Sequence, residues 1–295
     1  MSLSPFEPHF LPGPAGRMHF VDEGEGEPIL MLHGNPSWSY MFRELVTDLR
    51  SSYRCVVPDH IGMGLSDKPG DERYAYTLES RVDDLERLLG HLGLGADSAP
   101  PLTLLLHDWG GMIGMAYACR HPGRVKRIVA CNTAAFLNPK GLALPWQLRL
   151  GRDSRLGAFL IRGLNAFSLG AAALCALRRP MSPQTRAAYL APYDSWDNRR
   201  AVLRFVQDIP LGPGDRSYPV VKAVDEDLRL FQDTPMMLCW GGRDFVFDDR
   251  FLAEWVRRFP KAEVHRFADA GHYVIEDAGP EIAALTRSFL QAHPV

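Results

Sequence analysis

One carboxylate carries more chemical information than any other side chain in this sequence. The apolar run Leu102–Leu106 is followed by His107, Asp108, Trp109, Gly110 and Gly111. An apolar strand, then a reactive side chain, then glycines that open a helix is the layout of a sharp elbow that pushes one residue into an active site. Leu106, two before Asp108, is larger than such an elbow usually carries. A hydroxyl nucleophile attacking saturated carbon would leave an ether that water cannot remove. A carboxylate leaves an ester, whose carbonyl stays open to attack. Asp108 therefore points to substrates attacked at an sp³ carbon, or to strained rings.

Two further residues could work with it. His272 lies in the run Ala270, Gly271, His272, Tyr273, and Asp244 closes the run Trp240, Gly241, Gly242, Arg243, Asp244. Each follows an apolar, strand-like segment, so all three side chains can meet at one edge of a sheet. Asp108 would attack as the carboxylate, His272 would act as general base on a water, and Asp244 would orient and stabilise the imidazole. Taken singly, an Asp after a strand caps a helix and a Gly-His pair makes a turn. The ordered set favours catalysis. Asp248 reads as an ordinary helix cap and Asp269 as a surface acid.

Asn35 follows the strand-like Pro28–Leu32, in His33, Gly34, Asn35, Pro36, Ser37, Trp38, and Trp109 follows Asp108. Both carry a side-chain N–H as well as a backbone N–H. Four donors aimed at one spot would stabilise a leaving anion. Alone, Asn35 would be a turn residue and Trp109 core filling; beside Asp108 the anion site is the better reading. His33, His60 and His107 are read as structural. Trp38, Trp146, Phe159, Phe167 and Trp196 are read as packing or pocket wall.

The elements that must hold these residues alternate. Strand patterns cover Arg17–Val21, Pro28–Leu32, Tyr53–Pro58, Leu102–Leu106, Val125–Cys131, Pro235–Trp240 and Glu263–Phe267. Helical patterns cover Leu78–Leu92, Gly111–Cys119, Asp248–Phe259 and Glu281–Leu290. This implies an α/β fold, a mostly parallel sheet flanked by helices. From about Ala134 to about Leu211 the β-pattern stops and prolines break up short helices. Residues 134–211 are thus expected to form an inserted helical cap over a core of residues 1–133 and 212–295.

Composition narrows the function classes. The chain has 295 residues, 46% of them hydrophobic, and a net charge of −2 without a basic block, which argues against nucleic acid as a partner. The N-terminal segment lacks the basic and apolar regions of a secretory leader. Five cysteines with no CxxC spacing read as free thiols of a cytoplasmic protein, with no metal site. Leu156–Leu177 is long and apolar, but Arg162, Asn165 and three glycines interrupt it. It reads as cap helices rather than an integral membrane segment, with contact to a membrane surface the minor alternative. There is no G-x-S-x-G, Walker A or HExxH motif.

The stretches HGNPSWSY, DHIGMGLSDKP, HDWGGMIG and AGHYV together resemble the haloalkane dehalogenase family of α/β-hydrolases, over essentially the whole chain. The resemblance implies the α/β-hydrolase fold, with Asp108, Asp244 and His272 catalytic and Asn35 and Trp109 binding an anion. The cap phrases NTAAF, RPMSP, APYDSW and LRFVQDIPL look like the β-lactone decarboxylases of bacterial long-chain olefin biosynthesis. That implies a hydrophobic cis-3,4-dialkyl β-lactone converted to a cis-alkene and carbon dioxide without a cofactor. Assembly with other olefin-pathway enzymes is consistent with this resemblance. Asp108 could attack the ring carbon bearing oxygen, or the lactone carbonyl with help from His272 and water. Three other readings use the same scaffold. One is a haloalkane dehalogenase. Another is an epoxide hydrolase, with Tyr189 or Tyr193 protonating the ring oxygen. The third is a non-catalytic receptor.

Overall fold

In the computed structural model, which describes residues 5–139 and 141–295, eight strands form one sheet in the order β1-β2-β4-β3-β5-β6-β7-β8. The strands are β1 (His9–Leu11), β2 (Met18–Glu23), β3 (Pro28–Leu32), β4 (Arg54–Pro58), β5 (Leu102–Asp108), β6 (Val125–Thr133), β7 (Met236–Gly241) and β8 (Glu263–Phe267). From β4 through β8 every pairing is parallel; β2 runs antiparallel to both β1 and β4. The central strands β3, β5 and β7 are buried along their whole length. That explains their unbroken apolar sequence, because a parallel sheet is covered on both faces.

Alternation along each strand divides the core. Leu104 and Leu106 face one layer and Leu105 the other. The first layer packs α2 (Leu78–His91), α3 (Trp109–Arg120), α9 (Tyr218–Asp227) and α10 (Asp249–Arg258) against the sheet. The second packs α1 (Arg43–Leu49) and α11 (Val274–Ala292). α2 begins at Thr77, whose hydroxyl accepts the Ser80 N–H, and α10 begins at Asp248, whose carboxylate accepts the Arg250 N–H.

Between β6 and β7 lie α4 (Trp146–Asp153), α5 (Arg155–Arg162), α6 (Ala166–Leu174), α7 (Pro183–Leu190) and α8 (Arg200–Gln207). They precede α9, which returns to the sheet against α3 through Val221 and Val224. No single described helix is long and apolar enough to cross a membrane.

Several elements depart from the sequence reading. The edge strand β1 and helices α1 and α9 carried no pattern strong enough to announce them, since α1 is short and α9 opens on Pro219. α11 starts at Val274, two residues after His272, and not at Glu281; non-helical backbone at Ala278, before Pro280, interrupts the periodicity. The first four residues of the segment read for a leader lie outside the described residues.

Candidate active site

Asp108 ends β5 with φ 51° and ψ −124°, a conformation that ordinary residues avoid. Its side chain makes no capping bond to α3. The turn is held from three sides. A Cβ on Gly110 would overlap the Leu32 carbonyl of β3. A Cβ on Gly34 would overlap the Asp108 carboxylate itself. Thr133, at the end of β6, donates its hydroxyl to the Asp108 carbonyl. Strained backbone of this kind costs about 1–3 kcal/mol and persists because its surroundings over-determine it.

The carboxylate is gripped rather than free. The Asn35 N–H donates to Asp108 Oδ1 at 2.7 Å, and the adjacent Trp109 N–H also favours the charged form of this carboxylate. These two backbone donors are therefore not pooled with the side-chain donors at one spot, as the sequence reading expected. They orient the carboxylate and leave Oδ2 as the oxygen nearest His272. The Asn35 amide donates to the Val202 carbonyl of α8 at 3.0 Å, which uses one of its two hydrogens. The Trp109 indole N–H meets no acceptor among the described residues, and both side chains line the same cavity as Asp108. A separate pair of side-chain donors thus stands beside the carboxylate.

His272 Nε2 lies 3.6 Å from Asp108 Oδ2, and its Nδ1–H donates to Asp244 Oδ2 at 2.8 Å. Asp244 also accepts N–H bonds from Val246 at 2.7 Å and from the Asn132 amide at 2.9 Å. The three groups shift one another. Burial raises the Asp108 carboxyl above its ordinary value, and the His272 charge and the two backbone donors only partly oppose this. Burial would lower His272, but the charge of Asp244 and then its hydrogen bond outweigh it, so the imidazole is raised. Burial would raise Asp244, but the adjacent His272 and two backbone N–H groups hold it below the usual range. Each direction follows from a fixed partner.

The structure brings together all five residues singled out from the sequence: Asp108, Asp244, His272, Asn35 and Trp109. It also shows supports that sequence reading missed. Asn132 ties β6 to β7, accepting the Gly241 N–H at 2.7 Å while donating to Asp244. Asp277 accepts four backbone N–H groups, from Gly271, Leu177, Arg178 and Arg179, and so staples the His272 loop to the segment after α6. Arg81 is fully buried, pairs with Asp208 and stacks its guanidinium over Phe205 and Trp109. Nothing local marks these three, because each acts across long sequence distances. Asp248 caps α10 and Asp269 sits near Arg178 at the surface.

The histidines read as structural behave so. His33 Nε2 accepts the His60 N–H at 3.2 Å, so its proton sits on Nδ1, which donates to the Gly34 carbonyl at 2.8 Å. Burial pushes His107 down to about 3, and its Nε2–H donates to the His272 carbonyl at 2.9 Å. Tyr189 is buried on Glu276 at 2.7 Å and Tyr193 on the Ser37 carbonyl at 3.2 Å. Neither lines the cavity, so the epoxide-hydrolase reading loses its proton donors.

The cavity above Asp108 measures about 290 Å³. Met112, Phe136, Leu148, Phe167, Val206 and Phe247 supply much of an apolar wall that is far larger than its polar floor. The arrangement can therefore receive a greasy molecule, attack it with a carboxylate and hold an anion beside the point of attack.

Comparisons with known proteins agree with this architecture. A family model for the α/β-hydrolase fold matches residues 27–279. A cis-3-alkyl-4-alkyloxetan-2-one decarboxylase of Shewanella oneidensis is 50% identical over 98% of this chain and 90% of its own. One of the same name from Xanthomonas campestris is 50% identical over 96% of this chain and 95% of its own. A haloalkane dehalogenase of Mycolicibacterium paratuberculosis is 32% identical over 98% of this chain and 94% of its own. A crystal structure of a haloalkane dehalogenase from Agrobacterium tumefaciens superposes with a TM-score of 0.85 at 25% identity, covering 99% of both chains. Sheet order, elbow and full-length relatives converge: the chain belongs to the α/β-hydrolase fold family, in the haloalkane dehalogenase-like branch that includes the cis-3-alkyl-4-alkyloxetan-2-one decarboxylases.

Proposed function

We propose that this protein is a β-lactone decarboxylase that converts cis-3-alkyl-4-alkyloxetan-2-ones to cis-alkenes and carbon dioxide. The observation that carries this is the 50% identity, over nearly the whole chain, to two decarboxylases of that name, against 32% to a dehalogenase. An apolar cavity that ends on a carboxylate suits a lactone with two alkyl arms.

In the proposed route Asp108 Oδ2 attacks the ring carbon that bears oxygen, with inversion. The ring C–O bond breaks and its electrons leave as a substrate carboxylate. The Asn35 amide and Trp109 indole N–H groups receive that charge. The bond from the α-carbon to the carboxylate then supplies the electrons of the new double bond. Carbon dioxide departs and Asp108 leaves the adjacent carbon with the electrons of its ester bond. Inversion followed by anti elimination is a net syn loss, which keeps the cis geometry. No water is consumed, and Asp108 is regenerated as the carboxylate. Here His272 serves as a cation that eases the departure of Asp108, a role that fits its raised pKa. Asp244 keeps it oriented. Residues 134–211 act as a cap that shields this chemistry from water, over a core of residues 1–133 and 212–295.

The test is product analysis with a synthetic cis-β-lactone. The parent protein should release alkene and carbon dioxide in equal amounts, and Asp108→Asn should release neither. A β-hydroxy acid as the main product would sink the decarboxylase reading. In ¹⁸O-labelled water, label entering Asp108 in a single turnover would overturn the ring-carbon route in favour of attack at the carbonyl.

A further inference from the structure

The helices α5 and α6 leave their most apolar side chains outside. Leu156 is 59% exposed, Phe159 52%, and Leu174, at the end of α6, 62%. Trp146 at the start of α4 is 70% exposed, with Leu164 and Leu169 exposed between them, so Trp146 and Phe159 are not the packing or pocket wall that the sequence suggested. On α5, Leu156 and Phe159 share the outer face, while Gly157 and Ile161 turn inward. These six exposed apolar side chains come from one stretch of chain, residues 146–174, rather than singly from around the surface.

Two independent observations say what the face meets. First, it adjoins the mouth of the cavity. Ala166 and Leu174 are exposed and also line the cavity, so the apolar outer face runs into the apolar inner wall. Second, its charge is one-sided. Between Asp153 and Asp194, from Ser154 through Tyr193, the chain has five arginines and no Asp or Glu, within a protein of net charge −2. Arg162, Arg178 and Arg179 borrow carboxylates from elsewhere, Asp197, Glu281 and Glu44. Arg155, on the first turn of α5 beside Leu156, has no carboxylate partner among the described residues. The two helices are bent by 69° at their junction, and neither by itself is long and apolar enough to cross a membrane. A short apolar face bordered by arginine has the make-up of a segment that lies in the headgroup layer of an anionic bilayer.

We propose that the outer face of α5 and α6 docks on an anionic lipid bilayer, so that the cavity mouth opens toward the membrane. Docking rests on the surface alone. Its consequence, that a long-chain lactone enters and a long-chain alkene leaves through the bilayer without crossing water, rests on the decarboxylase reading. Leu156, Phe159 and Leu169 would sink among the acyl chains while Arg155 meets lipid phosphates.

The experiment is co-sedimentation of the full chain with vesicles of phosphatidylcholine alone, and of phosphatidylcholine and phosphatidylglycerol in equal parts. The parent should partition onto the mixed vesicles, less onto the neutral ones, and less again in high salt. Leu156→Glu combined with Phe159→Glu should weaken partition by about tenfold or more. Arg155→Glu should weaken it on the anionic vesicles only. All variants should keep the circular dichroism spectrum of the parent and its turnover of a water-soluble short-chain β-lactone, so that a failure of docking is separable from a failure of the assigned reaction. No partition of the parent on either vesicle overturns the proposal. So does partition that the variants leave unchanged. Self-association of the parent by light scattering, lost in the Leu156→Glu, Phe159→Glu variant and without vesicle binding, would assign the face to a second copy of the chain instead.

Discussion

Asp108 is both the reactive group and a strained, desolvated one. The two properties have one cause. A carboxylate buried at the floor of an apolar cavity is under-solvated, which raises its pKa and makes its ionised form costly in the folded state. At neutral pH that charge subtracts from stability. The penalty is complete above the folded-state pKa and disappears below about 3.8, where the carboxyl is protonated in both states. Asp108→Asn should therefore lower turnover on the order of 10⁴-fold and raise Tm at pH 7. The Tm difference should shrink toward zero as pH falls below the ordinary carboxylate range. A variant no more stable than the parent at pH 7 would contradict the desolvation argument. The same shift sets the acid limb of activity. As pH falls, kcat/KM should decline at a higher pH than an unperturbed aspartate would impose, because the attacking species is the carboxylate. A profile flat down to the ordinary Asp range would rule out Asp108 as the group that titrates.

At the scale of elements, the site is a meeting of strand ends. β5 delivers Asp108, the segment after β7 delivers Asp244, and the segment after β8 delivers His272. The His272 loop is the least regular of these, and Asp277 holds it. One carboxylate accepts four backbone N–H groups there, two through each oxygen. Asp277→Ala would leave those donors, buried at Gly271 and partly buried at Leu177, Arg178 and Arg179, without their acceptor. Each such loss costs about 1–3 kcal/mol, moderated where water enters. The expected destabilisation is about 3 kcal/mol, read by chemical denaturation, together with a fall in kcat as the imidazole loses its fixed orientation. A variant as stable as the parent would show that the staple is dispensable.

Across the whole molecule, the α4–α8 helices are joined to α2, one of the helices packed on the sheet, by a buried ion pair. Arg81 of α2 and Asp208, which follows α8, lie 2.6 Å apart with both side chains almost wholly out of water. Asp208 also accepts the Ser217 hydroxyl at 2.7 Å. α8 matters to the site because Val202 holds the Asn35 amide and Val206 lines the cavity. Removing one partner of such a pair strands the other charge. Arg81→Met should cost about 3–5 kcal/mol and weaken carboxylate binding at the Trp109 site, read by quenching of indole fluorescence. Adding Asp208→Asn should restore part of the stability, because no unpaired charge then remains. A double variant no better than Arg81→Met would mean that packing rather than charge makes the contact.

What was legible without coordinates follows from locality. The elbow, the strand runs and the order of Asp108, Asp244 and His272 are written in short segments, because turn geometry and periodicity act over a few residues. The kind of nucleophile, and hence the class of bond it attacks, was legible in one side chain. Short or proline-opened elements were not, as with β1, α1 and α9, since their pattern is too brief to rise above chance. The tertiary structure alone decided which donors face Asp108 and which grip it, that Asn132 and Asp277 brace the acid and the histidine loop, and that Tyr189 and Tyr193 are spent on internal partners. Those choices depend on groups 70 to 170 positions apart in several cases. Only the folded chain brings such groups within the few ångströms over which a hydrogen bond acts.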